Sequence, residues 1–292
     1  MRYAVRSWTL IASTFMLLLA LPVSAFASGA DFDPSQEFKL DPYIRFEIGA
    51  LDLSINKAVI YMAISVLIIV GFGLWVVRRG LALRPSGPQN VMELVYEFAE
   101  KQIVGPTMGP KTYSRYFPFI ATLFLFILVN NLVSFIPLPM GPHTSTFHVA
   151  GDLGLYAATA NINVTLTLTL VVFLLTHIEG VREHGGFGYL KTMIPDAPGF
   201  IKPMIFIIEL LSQLLRLVSL SVRLFANLMA GHLLIIMAAA FTILLGNFAG
   251  VLGIPFGVFF WVFEWLLVAG LQAFIFAMLS GIYIGYAVEP PH

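Results

Sequence analysis

Five apolar segments divide this chain, and they constrain its fold more than any other feature. They are residues 55–77, 117–136, 162–177, 203–245 and 251–287. A helix needs about 20 apolar residues to cross a bilayer. The last two segments are nearly twice that long, which predicts strongly tilted or broken helices. Only 11% of the residues are charged, against about 25% in a typical soluble domain. The sequence therefore predicts an all-α polytopic membrane protein with about five membrane helices.

Charge balance and residue content exclude several classes of function. The 16 basic residues balance the 16 acidic ones, which argues against a nucleic-acid partner held by a basic face. The chain has no cysteine, so disulfides, cysteine-ligated metal sites and thiol catalysis are excluded. It carries neither a P-loop nor a Gly-x-Ser-x-Gly motif, and we expect no cofactor and no metal site.

The first 27 residues are typical of a secretory signal peptide. Two arginines precede an apolar run over residues 8–23, and Ala25-Phe26-Ala27 offers a small-x-small cleavage site. The alternative is an uncleaved first membrane helix. Residues 28–54 follow as an acidic extracytoplasmic tail, and residues 55–292 are predicted to form the membrane domain.

Lysine and arginine are unevenly distributed among the loops. Segments 78–115 and 179–202 are basic, whereas the 137–160 and 246–254 loops contain neither residue. Basic loops mark the cytoplasmic side, so we expect the N-terminal tail outside and His292 in the cytoplasm. An exported tail agrees with a signal peptide.

A short amphipathic helix is predicted inside the first basic segment. Its apolar residues recur at helical spacing opposite three glutamates, and such a helix lies on the membrane surface. The apolar residues are Val91, Leu94, Val95 and Phe98, and the glutamates are Glu93, Glu97 and Glu100.

Three ionisable residues lie at bilayer depth in the fourth apolar segment. Glu209, Arg216 and Arg223 are seven residues apart and share one helical face with three further polar residues. Those three are Ser212, Ser219 and Asn227. A charge at this depth costs about 2.5–3.5 kcal/mol, so the stripe must face protein or water. Glu209 and Arg216 either form an ion pair that holds the helix bundle together or have a function. Arg223 has no nearby acid on its own helix, which indicates a partner in another chain.

Two further titratable residues stand apart from this stripe. His232 lies nine residues after Arg223, on the opposite helical face, and is either structural or a proton relay, since histidine exchanges protons near neutral pH. Glu264 is a lone carboxylate among Phe, Trp and Leu. It suits either a proton acceptor or a packing pair.

The chain resembles subunit a of F-type ATP synthases over roughly residues 40–290. The resemblance rests on three motifs: Ser219-Leu220-Ser221-Val222-Arg223-Leu224-Phe225-Ala226-Asn227-Leu228-Met229-Ala230-Gly231-His232, Leu271-Gln272-Ala273-Phe274-Ile275-Phe276 and Asn131-Leu132-Val133-Ser134-Phe135-Ile136-Pro137. It implies a non-catalytic proton-channel subunit of the Fo sector, in a bacterial inner membrane or an organellar energy-transducing membrane. The implied partners are the lipid bilayer, a c-subunit ring on which the two long helices pack, b-type peripheral stalk subunits and the other synthase subunits. The choice between proton and sodium stays open, because the decisive carboxylate is expected on the ring.

The resemblance also implies a role for each polar residue of the membrane domain. The matching positions are Arg223, Asn227, His232, Glu264, Gln272, Glu209 and Ser219. Arg223 matches the essential arginine that faces the rotor and separates two aqueous half-channels, and Asn227 and Gln272 match polar residues near it.

The remaining positions are implied to belong to the two half-channels. His232 and Glu264 match the acid and histidine pair of the outer half-channel, and Glu209 and Ser219 match polar positions of the cytoplasmic route. Glu264 lies eight residues before Gln272, whereas the family commonly has seven. Its role therefore requires a local bulge in the helix.

Other classes of function fit less well. A self-contained transporter would carry repeated halves around a substrate site, and the sequence has no such repeat. A structural scaffold would leave Arg223 without a reason to be charged.

Overall fold

A computed structural model describes the chain from residue 40 to residue 289. Within that range it leaves out residues 41, 49–50, 53, 86, 137, 140–152, 155, 193–199 and 245. The predicted signal peptide and most of the acidic tail lie outside the described residues.

The described chain is built from helices joined by short connections. The α-helices are α1 (Lys57–Arg78), α2 (Pro88–Phe98), α3 (Pro110–Val133), α4 (Ile162–His184), α5 (Gly186–Thr192), α6 (Lys202–Leu244), α7 (Gly246–Phe263) and α8 (Ala269–Val288). Two π-helical segments, Ala99–Val104 and Glu264–Val268, extend α2 and join α7 to α8, and a 3₁₀ turn covers Ala158–Ala160.

Two small antiparallel hairpins lie outside the helices. Strand β1 (Glu47–Ile48) pairs with β2 (Leu51–Asp52), and β3 (Leu138–Pro139) pairs with β4 (Leu153–Gly154). The hydropathy pattern did not predict these strands, because two residues are too few to show an alternating period.

Among the residues that the structure describes, five helices are long and apolar enough to cross a membrane, so the predicted fold class is confirmed. They are α1, α3, α4, α6 and the arm formed by α7, the second π segment and α8. Helix α6 has 43 residues and is therefore about 65 Å long. Because the hydrocarbon core is about 30 Å thick, a helix of this length is either tilted or extends beyond the core.

Several helices extend a few residues beyond the predicted spans. Helix α4 continues past residue 177 to His184, and α3 begins at Pro110 rather than at residue 117. A proline at the first helical position favours the earlier start of α3. The last arm begins at Gly246, not at residue 251. Hydropathy predicts that a span ends where the apolar residues stop. A helix can continue beyond that point when its polar side chains have partners.

The hydrophobic core lies between α3, α4, α6 and α8. Helix α8 packs between α3 and α4, and α6 packs against α4 and α7. Ile120, Ile127, Val172, Leu224 and Phe276 are among its fully buried members. Helix α1 packs on α3 at one side, through a smaller cluster of buried residues.

The predicted amphipathic helix is present as α2. None of its residues is buried, although Tyr96 lies 4.8 Å from Phe117 of α3 between ring centroids. In the helix and the π segment after it, Glu97 and Lys101 form an exposed ion pair. The hydrogen bond between Glu97 and Lys101 and the negative charge of Glu97 both raise the pKa of Lys101.

A buried carboxylate fastens α4 to α3. Glu179 is 5% exposed and lies 2.8 Å from Nη2 of Arg115 and 2.9 Å from Nη1 of Arg182. The hydroxyl of Tyr116 donates a hydrogen bond of 2.8 Å to Oε2 of Glu179, the oxygen that Arg115 also contacts. These partners explain why α4 extends beyond the apolar segment.

Glu179→Gln should destabilise the chain, because it removes the charge that both arginines bind. We expect the free energy of unfolding to fall by roughly 1–3 kcal/mol, since the arginines remain partly solvated. Thermal unfolding of the full chain in detergent would show this as a lower midpoint. Glu183→Gln is the matched control, because Glu183 is exposed and has no ion pair with any residue that the structure describes. Equal midpoints for the two variants would contradict the prediction.

Candidate functional site

Helix α6 presents one apolar face to the core and a polar face away from it. Leu220, Leu224 and Leu228 are buried at four-residue spacing. Arg223 lies on the uncovered side and is exposed, and Asn227, one turn later, is partly buried. This division follows from helical periodicity, because residues four apart share a face.

Arg223 has neither an ion pair nor a hydrogen bond with any residue that the structure describes. Ser219, one turn earlier, is exposed on the same side of α6. A permanently charged guanidinium on an apolar helix thus stands free on the surface of the isolated chain. Such an arrangement can receive an anionic group from another molecule.

Glu209 is held by its own helix near the start of α6. Nε2 of Gln213 donates to Oε1 of Glu209 at 2.9 Å, and Nη2 of Arg216 lies 3.8 Å from the same oxygen. The Arg216 guanidinium also lies 5.7 Å from the ring centroid of Tyr283 on α8. Glu209 and Arg216, which were predicted to pair, therefore lie together, and Gln213 also binds Glu209.

A small cavity of about 20 Å³ adjoins this pair, enough for a water molecule. It lies between α4, α6 and α8. Its polar lining is Thr169, Thr176, His177, Gln213, Arg216 and Tyr283.

His232 and Glu264 form a second, buried pair. Each is only 3% exposed, and Nδ1 of His232 lies 3.9 Å from Oε1 of Glu264. Nδ1 also lies 3.1 Å from the carbonyl oxygen of Leu228, which accepts a hydrogen bond when that nitrogen carries the proton. Among the described residues, Nε2 of His232 and Oε1 of Glu264 have no hydrogen-bond partner. Buried polar atoms without a partner are uncommon, and these two can take part in proton exchange.

Gly231 makes this pair possible. A Cβ atom built on Gly231 would collide with the carboxyl group of Glu264. The missing side chain lets the carboxyl group lie directly against the backbone of α6. Gly231 is part of the motif that includes Arg223, but the sequence analysis gave it no role.

The π segment Glu264–Val268 supplies the bulge that the spacing of Glu264 requires. The N–H of Ala269 bonds to the carbonyl of Glu264, five residues earlier. The extra residue in this turn offsets one residue of rotation, about 100°. Eight residues therefore relate Glu264 to Gln272 much as seven would in a regular helix, and Gln272 is also buried.

A buried polar network supports the start of α8. Nδ2 of Asn131 donates to the carbonyl oxygen of Ala269 at 3.2 Å, and the Thr159 hydroxyl donates to Oδ1 of Asn131 at 2.7 Å. All of these residues are fully buried. Asn131 belongs to a motif quoted above but was not predicted as a site residue. No sequence signal pointed to Thr159, which lies in the 3₁₀ turn.

The structure thus brings six of the seven predicted residues into three groups, while Gln272 is buried on α8 outside them. Glu209 lies with Arg216, His232 lies with Glu264, and Arg223 lies with Ser219 and Asn227 on the uncovered face. Within the described part of the chain, no cluster of His, Asp or Glu could hold a metal ion.

Comparison with known proteins gives consistent similarities. The family model described as ATP synthase A chain matches residues 59–285. A protein named ATP synthase subunit a from Maricaulis maris (strain MCS10) is 36% identical over 272 residues, covering 90% of this chain and all of that protein. Proteins of the same name from Brucella canis and Brucella suis are each 35% identical over 268 residues, covering 89% of this chain and 99% of theirs.

Proposed function

The chain belongs to the ATP synthase A chain family, and from that premise we propose that it is the stator half of a rotary proton channel. It forms two offset half-channels in the Fo sector and passes protons to and from carboxylates of a c-subunit ring at Arg223. It does not itself carry out the chemistry of ATP. The observation that carries this proposal is the unpaired guanidinium of Arg223 on the uncovered face of α6.

The ring carboxylate is the partner proposed for Arg223. Guanidinium remains protonated in proteins, so a carboxyl group opposite it is favoured in its ionised form. An ionised carboxylate at this point has released its proton before it passes from one half-channel to the other. Arg223 thereby prevents protons from crossing directly. Each crossing releases about 2.3 kcal/mol per 100 mV of membrane potential, which a leak would waste.

The buried pair of His232 and Glu264 is proposed to serve the outer half-channel. Their facing atoms are 3.9 Å apart, so a small movement or one water molecule allows a proton to pass between them. Nδ1 of His232 and Oε1 of Glu264 are the atoms proposed to exchange it. Nε2 of His232, which has no partner among the described residues, is proposed to take up or release the proton on the other side of the imidazole ring. Gln272, buried on the same arm, and Asn227 are proposed to lie along the path towards the ring.

Glu209 is proposed to serve the cytoplasmic half-channel. Gln213 and Arg216 fix its carboxylate in a partly exposed position. Ser219 is exposed between Glu209 and Arg223, so a polar strip leads along α6 to the arginine. The small cavity beside Arg216, which Gln213 and Thr176 also line, gives water a place next to this strip.

The proposed assembly lies in a bacterial inner membrane with the N-terminus outside and the C-terminus in the cytoplasm. Its proposed partners are the c ring, b-type stalk subunits and the other synthase subunits.

Co-purification tests the proposed assembly. We expect the full chain, extracted in mild detergent through an affinity tag, to bring down a c-type proteolipid and b-type subunits. Mass spectrometry of the purified sample identifies them. A sample washed under conditions that separate membrane subunits is the control for non-specific binding. A stable assembly without any c-type proteolipid would contradict the proposal.

A further inference from the structure

The segment that follows α1, residues 78–85, forms a loop with an unusual surface, which we name the basic loop. It starts at the last residue of α1, Arg78. The N–H of Arg79 donates to the carbonyl oxygen of Trp75, and the N–H of Gly80 donates to the carbonyl oxygen of Val77. Gly80 has φ +83°, a conformation that glycine adopts without strain. The chain therefore leaves the membrane helix in one sharp turn and stays attached to its end.

Helix α2 braces the middle of the basic loop. Nε2 of Gln89 donates to the carbonyl of Ala82 at 2.9 Å, and Oε1 of Gln89 accepts from the N–H of Ala82 at 3.0 Å. Nε2 of Gln89 also donates to Oε1 of Glu93 at 2.7 Å. Both backbone groups of Ala82 thus bind a single side chain. The two residues that flank Ala82 therefore lie in a part of the loop that is bound to α2.

Those two neighbours are leucines whose side chains are largely exposed. Leu81 is 67% exposed and Leu83 is fully exposed, at 105%. Because Gln89 makes two hydrogen bonds to the backbone of Ala82, the two leucines are exposed in a fixed conformation of the loop. Trp75, also exposed, lies one turn before the end of α1, and tryptophan is typical of the membrane interface. The leucines therefore lie beside the bilayer rather than in bulk water.

The basic loop also carries an uncompensated positive charge. Arg78, Arg79 and Arg84 are exposed, and none of them pairs with an acidic residue that the structure describes. No Asp or Glu occurs in the sequence between Asp52 and Glu93. The Arg79 guanidinium lies 4.1 Å from the ring centroid of Trp75, which holds it at the same level. Guanidinium groups bind phosphate in a bidentate manner.

We propose that the basic loop is an anionic-phospholipid site. Arg78, Arg79 and Arg84 bind lipid phosphates, and Leu81 and Leu83 enter the acyl boundary beneath them. A membrane is favoured over a protein partner because the loop starts at the end of a membrane span and combines apolar insertion with phosphate-binding charges. Anionic lipid should strengthen the contact by about fivefold per arginine.

The absence of cysteine from the chain allows a direct test. The assembled complex carrying Leu83→Cys is placed in nanodiscs of phosphatidylcholine alone or with phosphatidylglycerol, and alkylated with a bulky water-soluble maleimide. The gel shift of this chain then reports only the introduced residue. Asn90→Cys is the matched control, because Asn90 is exposed on α2.

We expect alkylation at Leu83→Cys to slow by at least about fivefold when phosphatidylglycerol is present, while the rate at Asn90→Cys stays unchanged. Changing all three arginines to glutamine should remove the lipid dependence. If that variant does not assemble, Arg84→Gln alone should reduce it. Equal protection in both lipids would overturn the proposal and indicate a protein partner or simple apolar insertion. Equal rates at the two positions would also overturn it. Because none of these readouts measures proton transport, failure of the proposed function would leave the result interpretable.

Discussion

Arg223→Ala is expected to abolish ATP-driven proton pumping into vesicles, lowering the initial rate by at least about a hundredfold. The proposed mechanism needs a fixed positive charge opposite the ring carboxylate, and a loss of that size corresponds to about 2.7 kcal/mol. Because Arg223 is exposed and has no partner among the described residues, its removal leaves no buried charge unpaired. The fold and the assembly should therefore survive the substitution.

The same variant should also raise passive proton permeability. Without the arginine, a protonated ring carboxyl group can pass between the half-channels, so vesicles lose an imposed pH gradient faster. A pH-sensitive dye reports both pumping and leak. Lys202→Ala is the matched control, since it removes a basic residue from the first position of the same helix. Coupled pumping at the normal rate in Arg223→Ala would contradict the role of Arg223.

Helix number and helix faces could be predicted from the sequence, because both depend on local patterns. The five predicted apolar segments correspond to the five membrane-length helices in the described part of the chain. The spacing of the polar residues on α6 was enough to place Arg223 on an outward face, where it is exposed. Helix ends were less predictable, because α4 continues to His184 beyond its apolar residues, where Glu179 forms an ion pair with Arg115 of another helix.

The contacts within the candidate site depend on how the helices cross one another. The periodicity of the sequence carries no information about these crossings. His232 and Glu264 are 32 residues apart in sequence, yet they meet because α6 and the last arm pack closely. The spacing between Glu264 and Gln272 predicted only that the helix needs a bulge near Glu264. The structure has a π segment there. Thr159 reaches Asn131 from a 3₁₀ turn, an element with no amphipathic period to reveal it.

Gly231→Ala is expected to impair the site severely, although it adds a single methyl group. The new Cβ would occupy the space of the Glu264 carboxyl group, so either the carboxylate or the helix backbone must move. Overpacking of this kind costs about 1–3 kcal/mol, and it separates Glu264 from His232. We expect proton pumping to fall by roughly tenfold, with a lower thermal midpoint of the full chain.

Two further variants separate the causes of that loss. Gly257→Ala is the matched control on α7, because a Cβ there meets only Ala238, at an ordinary 3.8 Å. It should leave pumping and stability close to those of the unchanged chain. Glu264→Gln keeps the side-chain shape but removes the proton-exchanging carboxylate, so it should slow pumping without lowering the thermal midpoint. If Gly231→Ala behaved like Gly257→Ala in both measurements, α6 and the last arm would not be in close contact at Glu264, and the buried pair could not form the proposed outer half-channel.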